Sequence, residues 1–360
     1  MAVTVDQAAR IIRKHHPNDQ SPAVVDTLQK VTNVGYSYNA NITSYMITLK
    51  REEEEQHPTY LLYVEETGTT SPRSHSDHRA NGLSVIYNLL SKIESNSSIP
   101  VPPGILDASL GIIPHECILF TMCSGSSKAI PLPAAKSSGI LDARGLARVE
   151  LELGAYLGQL HAIQNDWFGL PSVTEPAEPS YSWQESFVSL FETILEEIKP
   201  LPISERLDLP FEDIQRCLSR AIGFFLFDDV EVPALIGFAV SEDDVLVHVP
   251  DEASPTATIK MILPNFSWAV WGDPLLESLF MPPGPSPAVM EGYTGAGGTR
   301  PIVFPRQKTK RLWYSLYLSL LVLWKEESRP KETSEDSPKI LWALKTAQEC
   351  AKALKDAPCY

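Results

Sequence analysis

The sequence of 360 residues predicts an α+β chain of two lobes, a small strand-rich lobe at 1–125 and a larger, mainly helical lobe at 126–360. Two observations predict this. Segments rich in Val, Ile, Thr and Tyr, which are typical of strands, lie mostly before residue 125, whereas apolar residues recur at helical spacing after it. The change falls at a Ser-Gly-Ser-Ser stretch at 124–127, and such a polar stretch is typical of a boundary.

The N-terminal lobe is predicted to be an antiparallel sheet with two helices. Apolar residues at helical spacing predict the helices, and runs of β-branched and aromatic residues predict the strands. Helices are expected at 5–15 and 82–93, and strands at 31–50, 59–64 and 117–123. The acidic run at 51–58 and the polar stretch at 68–80 are interpreted as exposed loops.

The C-terminal lobe is predicted to be helical, with one strand pair. The helices are expected at 144–164, 183–198, 211–225, 310–324 and 340–354, and the strands at 244–249 and 258–263. The segment 281–301 is rich in proline and glycine, and it is interpreted as a connecting loop or as a lid over a pocket. A small strand-rich lobe followed by a larger helical one is the outline of a protein-kinase-like fold.

The charge of the chain excludes two classes of partner. The 30 lysine and arginine residues against 45 aspartate and glutamate residues give a net charge of −15 at pH 7. An acidic surface repels the phosphates of nucleic acids and of anionic lipids. We therefore expect neither a nucleic-acid partner nor binding to anionic membranes.

Cysteine usage and hydropathy predict a cytoplasmic protein. The five cysteines form no CxxC pair and no metal-ligand spacing, which is typical of free thiols in a reducing compartment. No basic start followed by an apolar run is present, so no signal peptide is predicted. The most apolar stretch, 312–324, is shorter than the ~20 residues that a bilayer span needs. No membrane span, metal site or cofactor is predicted.

Several segments resemble the aminoglycoside phosphotransferase and choline kinase family. Leu153 to Pro171 is similar to a family helix that reads LG..LA.LHA and is followed by FG.P. Pro233 to Val247 stands where the family has P.LVHGDLHPGNVLV, and Ile259 to Leu275 is similar to IIDWE.AGWGDPL. Gly35 to Tyr45 resembles the glycine-loop hairpin, and the Ile99-Pro-Val-Pro segment also matches. The resemblance spans about residues 31–275 in the family order and implies the bilobal fold of that family.

The same resemblance implies that the residues of phosphoryl transfer have been replaced. Ala239 falls on the catalytic aspartate of the family. Asp244 falls on the metal-binding asparagine, and Asn265 falls on the second metal-binding aspartate. Tyr63 falls on the lysine that contacts the ATP phosphates, and the glutamate partner of that lysine falls near Gly82.

These replacements remove the charges that phosphoryl transfer needs. The reaction depends on positioning and on neutralising charge with carboxylate-held Mg²⁺ and a lysine, and an aspartate takes the hydroxyl proton. Alanine accepts no proton, and the neutral asparagine binds a hard cation less well than a carboxylate does. Tyrosine is uncharged at pH 7. The sequence therefore predicts that kinase activity is lost.

Asp244, Tyr63 and Asn265 are the candidate catalytic residues of another reaction. Asp244 follows Glu242 and Asp243, and it is interpreted as a general acid or base, as part of a residual cation site with Asn265, or as part of a solvated turn. Tyr63 is interpreted as a phenolic donor or as an ordinary strand residue. Two further polar residues, His161 and Asp273, are interpreted as structural.

Aromatic residues are the candidates for substrate binding. A polycationic acceptor would require an acidic lining, whereas aromatic enrichment favours a largely apolar small molecule. At helical spacing the same residues are also typical of a core. The candidates are Trp183, Phe187, Phe266, Trp268, Trp271, Trp313 and Tyr317.

Three functions stay open at this point. The first is an enzyme of a specialised-metabolite pathway that performs a cyclisation, an isomerisation or another proton transfer on an apolar substrate, alongside partner enzymes of that pathway. The second is a non-enzymatic pseudokinase that binds or scaffolds. The third is a phosphotransferase in which Asp243 or Asp244 replaces the missing base.

Overall fold

A computed structural model describes most of the chain. The described residues are 3–16, 24–31, 39–50, 58–66, 80–122, 129–237, 242–249, 256–299, 304–327 and 338–358. The predicted boundary stretch at 124–127, the start of the hairpin at Gly35, and Ala239 lie outside these ranges. The loops predicted at 51–57 and 68–79 lie outside them as well.

The chain forms two compact units. The first holds the described residues up to Leu153 and those from 242 to Trp268, and the second holds those from Gly154 to 237 and from Ala269 onward. The division falls within one helix, between Leu153 and Gly154. The boundary near residue 125 was derived from secondary structure and remains a prediction.

The first unit begins with helix α1 and a five-stranded antiparallel sheet. Helix α1 (Val5–His15) precedes β1 (Val25–Val31), β2 (Ile42–Leu49) and β3 (Thr59–Glu65), and helix α2 (Leu83–Asn96) is followed by β4 (Gly104–Asp107) and β5 (Cys117–Thr121). The spatial order is β1-β2-β3-β5-β4, and every neighbouring pair is antiparallel. This sheet corresponds to the strand-rich region that the sequence predicts.

Strand β3 is buried on both faces because alternate side chains enter two different cores. Leu62 and Val64 pack in one core with Ile11 and Ile12 of α1. Successive side chains of a strand point to opposite faces, so Tyr63 lies on the other face. This alternation determines the direction of the one tyrosine that the candidate site uses.

A smaller antiparallel sheet also belongs to the first unit. It consists of β6 (Ala129–Pro131), β8 (Val245–His248) and β9 (Thr258–Ile262) in the order β6-β8-β9, with helix α3 (Leu132–Ser138) and the first part of α4 (Ala143–His161). Strand β7 (Ala234–Ile236) belongs to the second unit. The start of β8 pairs with the end of β9, at Val245 and Ile262. The turn before β8 therefore lies beside the segment after β9.

The second unit is mainly helical. Its helices are the end of α4, α5 (Trp183–Ile198), α6 (Ile203–Leu207), α7 (Phe211–Gly223), α8 (Pro287–Gly295), α9 (Pro305–Glu327) and α10 (Pro338–Leu354). Strand β7 pairs with β10 (Val270–Gly272) in an antiparallel two-stranded sheet. Helix α9 packs against α5 and α10, and aromatic side chains fill the space between α5 and α9.

Two glycines let α4 and α8 approach closely. A Cβ added to Gly154 would lie 1.9 Å from the carbonyl oxygen of Val289, and one added to Gly158 would lie 2.9 Å from that of Tyr293. Both glycines lie on one face of α4, four residues apart. The glycine pattern of this helix is therefore a packing requirement.

The predicted fold class is confirmed, and most of the predicted helices are present. The prediction of a loop or lid at 281–301 is wrong over α8, where Ser286 caps the helix by accepting from the Val289 amide at 3.3 Å and Pro287 begins it. The strands β1, β4, β6, β7 and β10 were not predicted, and apart from β1 they are only three or four residues long. Within the described part of the chain, no helix is long and apolar enough to cross a membrane.

Candidate functional site

The three predicted catalytic residues come together in the first unit. Tyr63 lies in β3, between β2 and β5, and its ring packs edge-on against Phe120 with the centroids 5.2 Å apart. Its hydroxyl donates a hydrogen bond to Oδ1 of Asn265. The tyrosine is thus held by the sheet at one end and by a polar side chain at the other.

The β8–β9 hairpin positions Asp244 and Asn265. Asp244 ends the short 3₁₀ turn that precedes β8, and Asn265 follows β9 by three residues. The Leu263 amide donates to the Asp244 carbonyl at 2.8 Å, and the Asn265 amide donates to the Leu263 carbonyl at 2.9 Å. These backbone bonds bring the two side chains together although 21 residues separate them.

The three side chains form a continuous hydrogen-bonded relay, which we call the Tyr63–Asn265–Asp244 relay. Nδ2 of Asn265 donates to Oδ1 of Asp244 at 2.6 Å, while Oδ1 of Asn265 accepts from the tyrosine. Only 3%, 9% and 2% of Tyr63, Asn265 and Asp244 are exposed. The relay is therefore enclosed by protein, where a charge-assisted hydrogen bond is stronger than in water.

The relay keeps the tyrosine protonated. Burial, and then the negative charge of Asp244, raise the pKa of Tyr63 well above its ordinary value. A protonated phenol donates, so the amide of Asn265 turns its oxygen to Tyr63 and its nitrogen to the carboxylate. The opposite amide orientation would place an oxygen against the Asp244 carboxylate. The orientation of the amide thus follows from the charges on either side of it.

Known proteins match this chain by structure and not by sequence. No family model matches the sequence, and no curated protein does. A protein from Ralstonia eutropha, inferred to be an aminoglycoside phosphotransferase, superposes with a TM-score of 0.58 at 11% identity over 98% of each chain. A thermostable mutant of the aminoglycoside phosphotransferase APH(4)-Ia, in ternary complex with ADP and hygromycin B, gives 0.56 at 13% identity over 98% of this chain and 99% of its own.

A choline kinase, LicA from Streptococcus pneumoniae, gives a TM-score of 0.52 at 12% identity over 96% of this chain and 98% of its own. The chain has the aminoglycoside phosphotransferase fold. The coverage is nearly complete in both directions. Identities this low establish the fold and not the activity.

The turn before β8 holds three consecutive acidic residues, Glu242, Asp243 and Asp244. Asp244 is the one that belongs to the relay. Glu242 pairs with Lys136, which also contacts Glu150 at 3.1 Å. Burial opposes the charge of Lys136, but its hydrogen bonds and the two glutamate charges raise the pKa of that lysine overall. Asp243 is partly exposed. In the described part of the chain, no three or more His, Cys, Asp or Glu side chains are grouped to hold a metal ion.

The predicted substrate-binding aromatics do not gather at the relay. Phe266 and Trp268 are buried in the first unit, next to Asn265 in sequence, whereas the other five lie in the second unit. Trp183 and Phe187 of α5 pack on each other, with ring centroids 5.7 Å apart. The remaining three, Trp271, Trp313 and Tyr317, are also at most 2% exposed. Core packing thus accounts for these residues, and contact with a substrate remains a prediction.

His161 and Asp273, which the sequence analysis interprets as structural residues, both lie in the second unit. His161 accepts from or donates to the Tyr293 hydroxyl through Nδ1 at 2.9 Å, and its Nε2 lies 3.6 Å from Oε2 of the fully buried Glu277. Asp273 caps a 3₁₀ turn by accepting from the Leu275 amide at 2.9 Å. The structural interpretation of both residues agrees with these contacts.

Among the buried polar residues that sequence reasoning missed are Lys310 and Asn81. Lys310 is 3% exposed and pairs with Asp273 at 2.5 Å and with Asp229 at 2.6 Å. Asn81 is buried as well, and it contacts the segment after Asn265. Lys310 stands in a basic run at the start of a helix, which is typical of an exposed face, so no local signal marked it.

Proposed function

We propose that this chain is a phosphotransferase-fold protein that has lost phosphoryl transfer and acts by binding. The observation that carries the proposal is the orientation of the Asn265 amide, which turns an N–H toward Asp244 at 2.6 Å. In the family resemblance these two positions hold the metal. Here they bond to each other instead.

The side chains present do not fit Mg²⁺. Mg²⁺ requires oxygen ligands in nearly octahedral geometry, and one or two of its protein ligands are usually carboxylates. The relay contains one carboxylate, and the amide oxygen that remains is the acceptor of the Tyr63 hydroxyl. To bind at this place, Mg²⁺ would have to break both hydrogen bonds of the Asn265 side chain. It would also have to give up its own water molecules beside a neutral phenol.

The tyrosine also offers no charge to a nucleotide. The lysine of phosphotransferases neutralises phosphate charge, whereas the phenol of Tyr63 is buried and has a raised pKa, so it stays neutral. With the phosphate lysine and one metal carboxylate absent, the groups that remain carry a net negative charge. Such a site repels a nucleoside triphosphate.

Nucleotide binding is the direct test of this proposal. A ligand at 100 times its Kd adds about 2.7 kcal/mol of stability, which for a chain of this length corresponds to a shift of about 3 °C in Tm. We expect no shift with ATP and MgCl₂ together, relative to MgCl₂ alone. A reproducible Mg²⁺-dependent shift, followed by transfer of the γ-phosphate to any acceptor, would overturn the proposal.

The same burial bears on whether the protein acts by binding or by catalysis. The relay is enclosed and the aromatic residues are packed against each other, which supports a pseudokinase that binds or scaffolds over an enzyme that admits a substrate to the relay. The expected ligand is a largely apolar small molecule or a partner enzyme. Titration with apolar metabolites and with proteins of the same pathway, followed by Tm, separates these two.

One observation favours a second candidate, a proton-transfer enzyme of the cyclase or isomerase type. A phenol and a carboxylate are groups that general acid–base catalysis uses, and Asn265 hydrogen-bonds both of them. This candidate predicts that Tyr63→Phe and Asp244→Asn each lower turnover of an apolar substrate while the fold is kept. Turnover that is equal in both variants and the parent would exclude it.

A further inference from the structure

The start of helix α2 connects β3 to the segment after β9 in two steps. Glu65, two residues after Tyr63, accepts from the Leu83 amide with Oε2 at 2.8 Å. Asn81 donates to the carbonyl of Ser267 from its backbone at 2.7 Å and to the carbonyl of Phe266 from Nδ2 at 2.9 Å. We call Asn81, Gly82 and Leu83 the α2 bracket.

The bracket and the relay close a loop. From Tyr63 the chain runs along β3 to Glu65, and a hydrogen bond leads to Leu83. From Asn81 a second hydrogen bond leads to Phe266, next to Asn265, whose side chain returns to Tyr63. Each non-covalent step of this loop is a hydrogen bond between described residues, and all of them lie in the first unit.

The residues of the bracket are adapted to this connection. Helix α2 has no side-chain cap of its own, because its N-cap residue is Gly82. A Cβ on Gly82 would lie 3.1 Å from Oε1 of Glu65, so the glycine leaves the space that the carboxylate occupies. A carboxylate at a helix N-terminus is favourable because it satisfies a free N–H and faces the positive end of the helix dipole.

Asn81 is buried and uses two donors on two successive carbonyl groups. Two bonds to consecutive peptides determine both the position and the tilt of the Phe266–Ser267 segment. Asn39 adds a bond from Nδ2 to the Ser267 hydroxyl at 3.3 Å. The direction of the Asn265 side chain is set by the backbone that these bonds hold.

We infer that Asn81 is a positioning residue that keeps the Tyr63–Asn265–Asp244 relay closed through the α2 bracket. The inference rests on the proposed function in treating the relay as the site that replaced the kinase machinery. Asn81 holds the Phe266–Ser267 backbone, directly after Asn265, through the two hydrogen bonds that it donates to those carbonyls. Because the start of helix α2 is bonded both to Glu65 and to Phe266, its displacement would move both ends of the Tyr63–Asn265 hydrogen bond.

The ionisation of Tyr63 reports whether the relay is closed. Subtracting the 295 nm alkaline titration of the Tyr63→Phe counterpart from that of each protein isolates this phenol among the twelve tyrosines. In Asn81→Ala we expect the relay to loosen and the ionisation midpoint of Tyr63 to fall toward the ordinary value of a tyrosine. Asn96→Ala is the matched control, because Asn96 makes the same type of bond, from Nδ2 to the Lys92 carbonyl at 2.7 Å, at the other end of α2.

An equal midpoint in Asn81→Ala and the parent would overturn the inference. If Asn81→Ala does not fold, Tyr63→Phe removes the Tyr63–Asn265 hydrogen bond on the opposite side of this closed series of bonds. Amide hydrogen exchange then measures the effect on the α2 bracket. The amides of Asn81 and Leu83 are then expected to exchange about tenfold faster, while the Ala8 amide, bonded within the first turn of α1, keeps its rate. Unchanged exchange at both amides would also overturn the inference.

Neither measurement requires a nucleotide. Mg²⁺-dependent ATP binding followed by phosphate transfer would overturn the proposed loss of phosphoryl transfer and leave the titration result standing. Conversely, an unresponsive Tyr63 titration would remove the positioning role of Asn81 and leave the proposed function untouched. The two failures are therefore distinguishable.

Discussion

Asn265 donates from its amide to the Asp244 carboxylate over 2.6 Å. The pair thus consists of one amide and one carboxylate in direct contact. Exchanging the two residues keeps the number and type of polar groups and reverses only their order, so this exchange tests the contact.

The exchange of Asp244 and Asn265 defines a double-mutant cycle. Asn265→Asp places two carboxylates in contact in a buried site and should cost about 2–4 kcal/mol of unfolding free energy. Asp244→Asn weakens one charge-assisted bond and should cost about 1 kcal/mol. In the double variant, the amide at 244 again faces a carboxylate at 265 that accepts from Tyr63, so most of the loss should be recovered.

Urea unfolding of the four proteins measures this cycle. Two independent losses that simply add would contradict the direct contact of the pair. The penalty of Asn265→Asp should also grow with pH, because protonation of one carboxyl relieves the repulsion at acidic pH.

Tyr63→Phe removes the donor to Asn265 and leaves a buried amide oxygen without it. The loss should be about 1–2 kcal/mol at pH 8. The pKa of Tyr63 is raised in the folded protein, so its contribution is complete below the unfolded pKa near 10 and is lost as pH rises through the folded pKa. Between pH 10 and 11.5 the parent should therefore lose stability more steeply than the variant.

Tyr181→Phe is the control for this titration, because Tyr181 is 70% exposed. It should follow the parent protein at every pH. Chemical unfolding at several alkaline pH values measures the slopes, and equal slopes for the parent and Tyr63→Phe would argue against a buried protonated phenol.

Gly154→Ala should destabilise the second unit strongly. The added methyl would lie 1.9 Å from the Val289 carbonyl oxygen, so helices α4 and α8 would have to separate. Overpacking of this kind costs about 3 kcal/mol or more. Gly295→Ala is the matched control in α8, since nothing lies within 4 Å of the added methyl, and it should be neutral or slightly stabilising. Thermal unfolding compares the two, and equal Tm values would refute the close helix contact.

Lys310→Met should cost about 3–5 kcal/mol, because it leaves the Asp273 carboxylate buried without its cation. The exposed pair of Lys345 and Glu349, 3.9 Å apart and 74% and 67% exposed, supplies the control. Lys345→Met should change stability by less than about 0.5 kcal/mol. Denaturant unfolding measures the loss of unfolding free energy in each variant. An equally small loss in Lys310→Met and Lys345→Met would contradict the buried ion pair of Lys310 and Asp273.

Much of the fold was accessible from the sequence because its signals are local. The helical spacing of apolar residues predicted α5 and α10 closely, and a run of β-branched, aromatic and aliphatic residues predicted β3. Very short strands such as β7 and β10 carry too few residues for a periodic pattern, so they were missed. Helix α8 was missed because proline and glycine outweighed a serine cap that only its contact with Val289 identifies.

The sequence alone determined which residue types stand at the candidate site, namely a tyrosine, an asparagine and an aspartate. Only the tertiary structure decided how they bond, because the direction of an amide depends on the groups that the sheet and the β8–β9 hairpin bring to each side of it. The same holds for the aromatic residues. Their spacing fits a pocket wall and a core equally well, and their contacts across α5 and α9 are set by helix packing between residues far apart in the chain.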